Sequence, residues 1–260
     1  MNIIVCIKQV PDTTEVRIDQ KTGTLIRDGV PSIINPDDKS GIEAALVLKE
    51  KYGAHITLIS MGPDQAEHAL AEGLAMGADR AILLSDRAFA GSDTWATSIA
   101  LAHAIKKLNY DLIICGRQAI DGDTAQVGPQ IAEHLSLPQV SYVTDIMKED
   151  RNLIVKKVYE DFYQTIRVKM PCMLTVLKEM NQPRYMTVGQ IFTAYNDNMI
   201  EKWSIKEIEL DPSLTGLKAS PTQVKKIQTK GGKSAGKVFD VDAREGARLI
   251  VEKLKEKFVI

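Results

Sequence analysis

An α/β fold built on a parallel sheet is what the sequence predicts, on two observations. Short apolar runs rich in β-branched residues alternate with stretches of helical periodicity through residues 1–140. Those runs are apolar throughout instead of every second residue, the mark of strands covered on both faces. The first is NIIVCI (2–7). Two turn-rich stretches follow, Pro11-Asp12-Thr13-Thr14 and Lys21-Thr22-Gly23-Thr24. Val16, Ile18, Leu25 and Ile26 flank the second and predict a small hairpin. From Lys39 to Lys51 the period is helical. Ile42, Ala45, Leu46 and Tyr52 fall on one face, and Gly53 sits where a C-terminal cap belongs. Strand 55–62 comes next, then helix 64–76 with Ala66, Ala69, Leu70 and Leu74 inward, and strand 81–86. Helix 93–107, strand 111–116 and helix 124–135 complete the alternation.

The second half changes style. Within 153–178, LIVKKVYED and YQTIRVKMPCMLTVLK read as extended segments, added at the sheet edge or as a small second layer. Segment 211–238 has linker composition, with Pro212, Gly216, Pro221, Gly231, Gly232 and Gly236. It carries six lysines, and no acid lies between Asp211 and Asp240. A final helix is expected over 242–257, opened by the capping-box pair Asp242 and Glu245. Ala247, Ile250, Val251, Leu254 and Phe258 form its stripe. The expected architecture is a Rossmann-like sandwich over residues 1–200 with added edge strands. A linker and C-terminal arm helix over 201–260 either docks on the parent domain or reaches a partner.

Composition excludes several functions. The chain has 260 residues with 33 Lys+Arg against 34 Asp+Glu, a net charge of −1, so bulk positive charge for nucleic acid is absent. Aromatic residues at 5% are too few for single-strand stacking platforms. No apolar run approaches the roughly 18–20 residues that span a bilayer, and MNIIVCIKQV lacks the pattern of a secretory signal. Cys6, Cys115 and Cys172 lie far apart without CxxC spacing, which argues against disulfides and zinc and for a reducing, cytoplasmic setting. His55, His68, His103 and His134 show no metal spacing, and no nucleophile–base order suggests covalent catalysis.

Open parallel sheets bind ligands beyond the carboxyl ends of their strands. Three such ends are legible: Cys6-Ile7-Lys8, Met61-Gly62-Pro63 and Cys115-Gly116-Arg117-Gln118. The third runs into a long polar loop through Ala119, Ile120, Asp121, Gly122, Asp123, Thr124, Ala125, Gln126 and Val127. It suits a pyrophosphate at a helix start, with Thr124 and Gln126 as donors, or is simply a capped helix start. Asp121 and Asp123 would face away from phosphate, capping the helix or accepting from ribose or adenine. Gly91-Ser92-Asp93-Thr94-Trp95-Ala96-Thr97 offers a second helix start, with Thr94 and Thr97 on one side, or an ordinary Asp cap. Asn35, Pro36, Asp37 and Asp38 form either a turn and cap or a ribose or adenine contact. Neither GxGxxG nor GxxxxGK[ST] occurs.

The stretches VCIKQVPDT, INPDDKSGIEAAL, SMGPDQ, LAMGADRA, CGRQAIDGDTAQVGPQIAEHL, KVYEDFYQTIRVKMPCMLTV and NQPRYMTVGQI carry a resemblance that covers almost the whole chain. It resembles the small (beta) subunit of electron-transfer flavoproteins. The resemblance implies a nucleotide-binding α/β fold, a larger alpha subunit as partner, and electron exchange with dehydrogenases through flavin. In AMP-binding members, nucleotide contacts fall at the positions of Cys6, of Asn35 to Asp38, of Met61, and of the loop Gly116 to Val127. It also implies that Tyr185, Met186, Thr187, Val188, Gly189, Gln190 and Ile191 form the loop that docks on a partner dehydrogenase, with Val188 as its aliphatic anchor.

Departures sharpen the comparison. Ala125-Gln126-Val127 stands where AMP-binding members have Asn-Gln-Thr, which leaves room for a larger ligand. GSDTWATS adds donors those members lack. Phe192 to Asn196 replaces a lysine-rich tract, which changes the expected partner set. Both of the first two features resemble the electron-bifurcating branch, which implies FAD in this subunit. NADH would then be the donor, with an acyl-CoA dehydrogenase-type flavoprotein and ferredoxin or flavodoxin as acceptors. In that setting Thr94, Thr97, Thr124 and the backbone of 122–127 would hold pyrophosphate. Two alternatives stand beside it: AMP as a structural ligand in a non-bifurcating subunit, and a nucleotide-binding signalling module without redox chemistry.

Overall fold

In the computed structural model, which describes residues 1–12, 31–196, 199–224 and 236–259, the alternating half folds as its periodicity predicts. In chain order it contains β1 (Asn2–Cys6), β2 (Gln9–Pro11), β3 (Ser32–Ile34), α1 (Pro36–Tyr52), β4 (His55–Met61), α2 (Glu67–Met76), β5 (Arg80–Leu84), α3 (Thr94–Lys106), β6 (Leu112–Gly116) and α4 (Val127–His134). Then follow β7 (Gln139–Glu149), β8 (Asn152–Val158), β9 (Tyr163–Lys169), β10 (Cys172–Val176), α5 (Val188–Asn196), β11 (Ile200–Trp203), α6 (Gly216–Ala219) and α7 (Ala243–Glu256). The sheet order is β11-β5-β4-β1-β6-β10-β7-β8-β9. All neighbours from β11 to β7 run parallel, and β7-β8-β9 is an antiparallel meander at the edge. β2 and β3 pair separately. The hairpin expected around 16–26 lies outside the described residues.

Alternate side chains of each buried strand supply two cores. Ile3, Val5, Leu58, Leu83, Ile114 and Leu174 pack with Ile42, Leu46, Leu70 and Leu74 of α1 and α2. Ile4, Ile59, Ile82, Ile113 and Met173 pack on the other face with Ile99, Ile105 and Ile131 of α3 and α4. Covering both faces is why these strands read as apolar runs instead of alternating apolar and polar residues. α1 starts at Pro36, three residues before the periodic stretch. Proline is preorganised for the first turn, and Asp37 and Asp38 there complement the helix dipole. α1 ends at Gly53 (φ 64°) as expected.

Three departures have physical causes. α4 begins at Val127 and not Thr124, because Asp123 (φ 49°) and Ala125 (φ 53°) take left-handed backbone that no helix continues. The expected segment 163–178 is two strands, broken at Met170-Pro171 where proline removes a ladder donor. Its second half, β10, is not at an edge but beside β6 in the sheet interior, buried throughout. β7 and β11 had no clear signal. β7 is mostly polar with irregular burial, and β11 is four residues long.

The described compact unit spans Met1–Lys225, past the residue-200 boundary expected from composition. β11 accounts for part of this, since it pairs with β5. The second unit, Lys226–Ile260, contains α7, whose start is capped by Asp242 accepting from Arg244 N and Glu245 N at 2.9 Å. Among the described residues no helix is long and apolar enough to cross a membrane, and no metal-ligand cluster occurs.

Candidate functional site

The chain steps from β1 to β4 and β5 on one side, then crosses back to β6 on the other. Loops leaving β1 and β6 therefore diverge, and a crevice opens beyond their carboxyl ends. A cleft of about 770 Å³ lies there, near the upper part of the ~300–1,000 Å³ range of small-molecule sites. Its walls come from the ends of β1, β4, β5 and β6, the start of α3, and the loop into α4.

The cleft brings together Cys6, Asp38, Met61, Thr94, Thr97, Gly116, Arg117, Gln118, Ala119, Gly122, Thr124, Ala125, Gln126 and Val127. Asn35, Pro36, Asp37, Ile120, Asp121 and Asp123 are not on its lining, and the structure shows what each does. Asn35 is fully buried. Its amide donates to Gln118 O at 2.9 Å and its carbonyl accepts from Ile120 N at 3.1 Å, so it shapes the loop from behind. Pro36 starts α1. Asp37 accepts from Lys178 N at 3.0 Å and lies 3.4 Å from Arg117 Nε. Asp121 accepts from Lys8 Nζ at 2.7 and 2.9 Å, and Asp123 from Gln118 Nε2 at 2.8 Å. Ile120 is 40% exposed. Reading the sequence did not single out Ser85, Asp86, Arg87, Phe89 and Ala90, which also line the cleft. The signal available for them was the end of strand 81–86, read only as a strand.

Two helix starts face the cleft, and they differ. At α3, Asp93 accepts from Ala96 N at 3.1 Å, and its other oxygen accepts from Thr222 N and Oγ1 at 2.9 and 2.6 Å. Burial would raise this carboxyl, but donors led by Thr222 outweigh it and hold Asp93 below its usual range. That start is filled by its own anion. α4 has no side-chain cap. The residues before it alternate left-handed Ala125 with right-handed Gln126, a pattern that turns successive N–H groups to one side. Thr94 Oγ1 donates to Gln126 Oε1 at 2.9 Å and ties the two starts together.

The floor is neutral and tightly fitted. Cys6 and Cys115 are register partners on β1 and β6. The hydrogen bond with Cys6, and then burial, push the Cys115 thiol well above its ordinary value, so it behaves as a small apolar group. Asp38 joins the two strand ends, accepting from Lys8 N at 2.8 Å and Gly116 N at 2.9 Å. Burial raises its carboxyl from 3.8 to about 7, against those hydrogen bonds. The stability contributed by the protonated acid is fully present below about pH 4 and is lost as pH rises through about 7. Urea unfolding should show wild type losing stability over that window by up to about 1.4 kcal/mol per pH unit relative to Asp38→Asn. Parallel pH profiles for the two proteins would show that Asp38 does not titrate in this window.

The segment that follows β10 forms a separate exposed surface. Tyr185 is 94% and Val188 72% exposed, and Met186, Phe192 and Tyr195 are also exposed. Thr187 Oγ1 accepts from Gln190 N, and Val188 to Ile191 form the first turn of α5. α5 packs on α2, with Ala194 buried and Ile191 against the core. Arg184 holds the other end through Glu43 and Glu50.

Residues 22–207 match the family described as Electron transfer flavoprotein domain. The chain is 58% identical over 260 residues to the electron transfer flavoprotein subunit beta of Clostridium acetobutylicum, covering 100% of both. It is 55% identical over 263 residues to the caffeyl-CoA reductase-Etf complex subunit CarD of Acetobacterium woodii, again covering 100% of both. It is 46% identical over 269 residues to the acryloyl-CoA reductase electron transfer subunit gamma of Anaerotignum propionicum, with the same coverage.

Proposed function

The chain belongs to the electron transfer flavoprotein family, and from that premise we propose that it is the beta-type subunit of a heterodimeric electron carrier and holds FAD in the cleft beyond β1, β4, β5 and β6. The observation that carries this reading is the size of the cleft combined with the uncapped start of α4. A pyrophosphate needs convergent N–H donors, and a dinucleotide needs more room than a mononucleotide. The residues fit such a ligand: Gly116, Ala119, Gly122 and Ala125 keep the wall low, and Thr94, Thr97 and Thr124 supply hydroxyls. Asp121 and Asp123, which would repel phosphate, are turned to Lys8 and Gln118.

Bound FAD would supply electron bifurcation, with NADH as donor and with an acyl-CoA dehydrogenase-type flavoprotein and a low-potential carrier such as ferredoxin or flavodoxin as acceptors. The chain's own residues bind and orient. The backbone of 122–127 and the threonine hydroxyls hold the pyrophosphate. Cys6, Met61 and Cys115 give an apolar floor that excludes water. Asp38 and Asn35 fix the loops that shape the site. Tyr185 to Ile191 present the docking surface, with Val188 as its exposed anchor. The apolar stripe of α7, with Ile250 63% exposed, docks on the alpha subunit. Relatives named for caffeyl-CoA and acryloyl-CoA reductases support a partner of the acyl-CoA dehydrogenase type.

Flavin stoichiometry of the purified heterodimer tests the assignment. About two FAD per heterodimer is expected, one on each subunit. About one FAD with one AMP would replace it with the structural-nucleotide alternative. Thr97→Ala combined with Thr124→Ala should lower the flavin retained after desalting toward about one. Retention unchanged from wild type would remove these hydroxyls from the site.

A further inference from the structure

We propose that Arg87 is the cationic contact for the pyrophosphate of the ligand in this cleft, a role that rests on reading the cleft as a dinucleotide site. Three basic side chains line it: Lys8, Arg87 and Arg117. Two are committed. Lys8 Nζ holds both carboxylate oxygens of Asp121, and Arg117 Nε lies 3.4 Å from Asp37 Oδ2. The Asp121 and Asp37 side chains are each only 7% exposed. Turning either cation to a ligand would strand a nearly buried carboxylate. Arg87 is exposed and has no ion-pair partner among the described residues.

Its platform is rigid. Arg87 opens a short 3₁₀ turn, Arg87–Phe89, capped by Asp86, which accepts from Ala88 N at 2.9 Å and from Ile205 N at 3.2 Å. Ala90 O accepts from Leu217 N at 3.1 Å. The acids of this rim are therefore engaged: Asp86 caps the turn, and Asp64 lies 3.4 Å from Lys202 Nζ. A pyrophosphate carries more charge than the roughly half a unit at one helix end can balance. With the α3 start already filled by Asp93, the uncapped α4 start and Arg87 are the positive features left. A planar guanidinium can hold two phosphate oxygens at once, which an ammonium cannot.

The test uses the full chain in its heterodimer, stripped of the nucleotide in this cleft and titrated with FAD at low and high salt. Arg87→Gln should bind FAD about tenfold more weakly at low salt, with a smaller gap at high salt. Arg87→Lys should recover part of the loss. The ligand-free unfolding temperature should not change, because the side chain is exposed and has no ion-pair partner among the described residues. Equal FAD affinity in Arg87→Gln and wild type overturns the role of Arg87 and leaves the dinucleotide reading standing. A wild-type cleft that takes up AMP and no FAD overturns both.

Discussion

Gly116→Ala should unfold at a urea concentration far below that of wild type, with a loss of about 3 kcal/mol or more. A methyl group here would sit 2.2 Å from Asp38 Oδ1 and 2.8 Å from Asp37 Cβ and Asp38 N. None of these can move aside cheaply. Asp38 is 7% exposed, fixed by Lys8 N on one oxygen and by Gly116 N on the other, and its own N–H belongs to the first turn of α1. Relief would have to come from displacing the helix start or the end of β6. Both lie at the cleft, so the variant should also bind the proposed FAD more weakly. Gly122→Ala is the matched control, because nothing lies within 4 Å of an added Cβ there. Equilibrium unfolding of the two variants side by side decides the matter. Equal midpoints would mean that the Asp38 carboxyl does not press on β6 as described.

Arg184→Ala should produce the second large effect, about 2–3 kcal/mol in stability together with loosening of residues 185–192. Arg184 donates from its backbone N and Nε to Glu43 Oε2 at 3.0 and 2.9 Å, from NH2 to Glu43 Oε1 at 2.8 Å, and from NH1 to Glu50 at 2.5 Å. Glu43 first and Glu50 second hold the guanidinium above its ordinary range. Removing one partner of a buried pair costs about 3–5 kcal/mol because the remaining charge is stranded. The Glu43 side chain is 9% exposed, but that of Arg184 is 33% exposed, so water screens part of the loss. Combining Arg184→Ala with Glu43→Gln should recover part of the stability, since no stranded charge remains. Hydrogen exchange should speed up in 185–192, where Arg184 is the anchor at the N-terminal end. Unchanged exchange there would show that α5 alone positions the exposed Tyr185 and Val188.

Asp38 and Arg184 illustrate a common feature. Asp38 belongs to a stretch read as a turn and cap or as a ribose or adenine contact, and Arg184 borders the stretch that the resemblance marks as a docking loop. Both act through partners that lie far away in the chain. Asp38 reaches Gly116 across 78 positions, and Arg184 reaches Glu43 across 141.

Local chemistry made much of the fold legible. NIIVC, RAILL and LIICG are apolar at nearly every position and HITLISM is buried from Ile56 to Ser60, which a sheet covered on both faces accommodates. Gly53 ended α1 and Asp242 opened α7 because a cap depends on the neighbouring few residues. The carboxyl ends of β1, β4 and β6 were legible as neighbours on one rim because parallel topology puts them there, and a cleft does open at that rim. The tertiary structure decided the rest. β10 lies inside the sheet, where its apolar run reads the same as it would at an edge, because burial does not say which strand is next door. Of two similar helix starts, α3 is filled by Asp93 and α4 is open, a difference set by Thr222 and by left-handed Ala125. Lys8 is paired with Asp121 and Arg117 lies beside Asp37, while Arg87 has no ion-pair partner among the described residues. Periodicity and capping are short-range properties written into consecutive residues; charge compensation and strand order depend on which distant groups the folded chain brings within a few ångströms of each other.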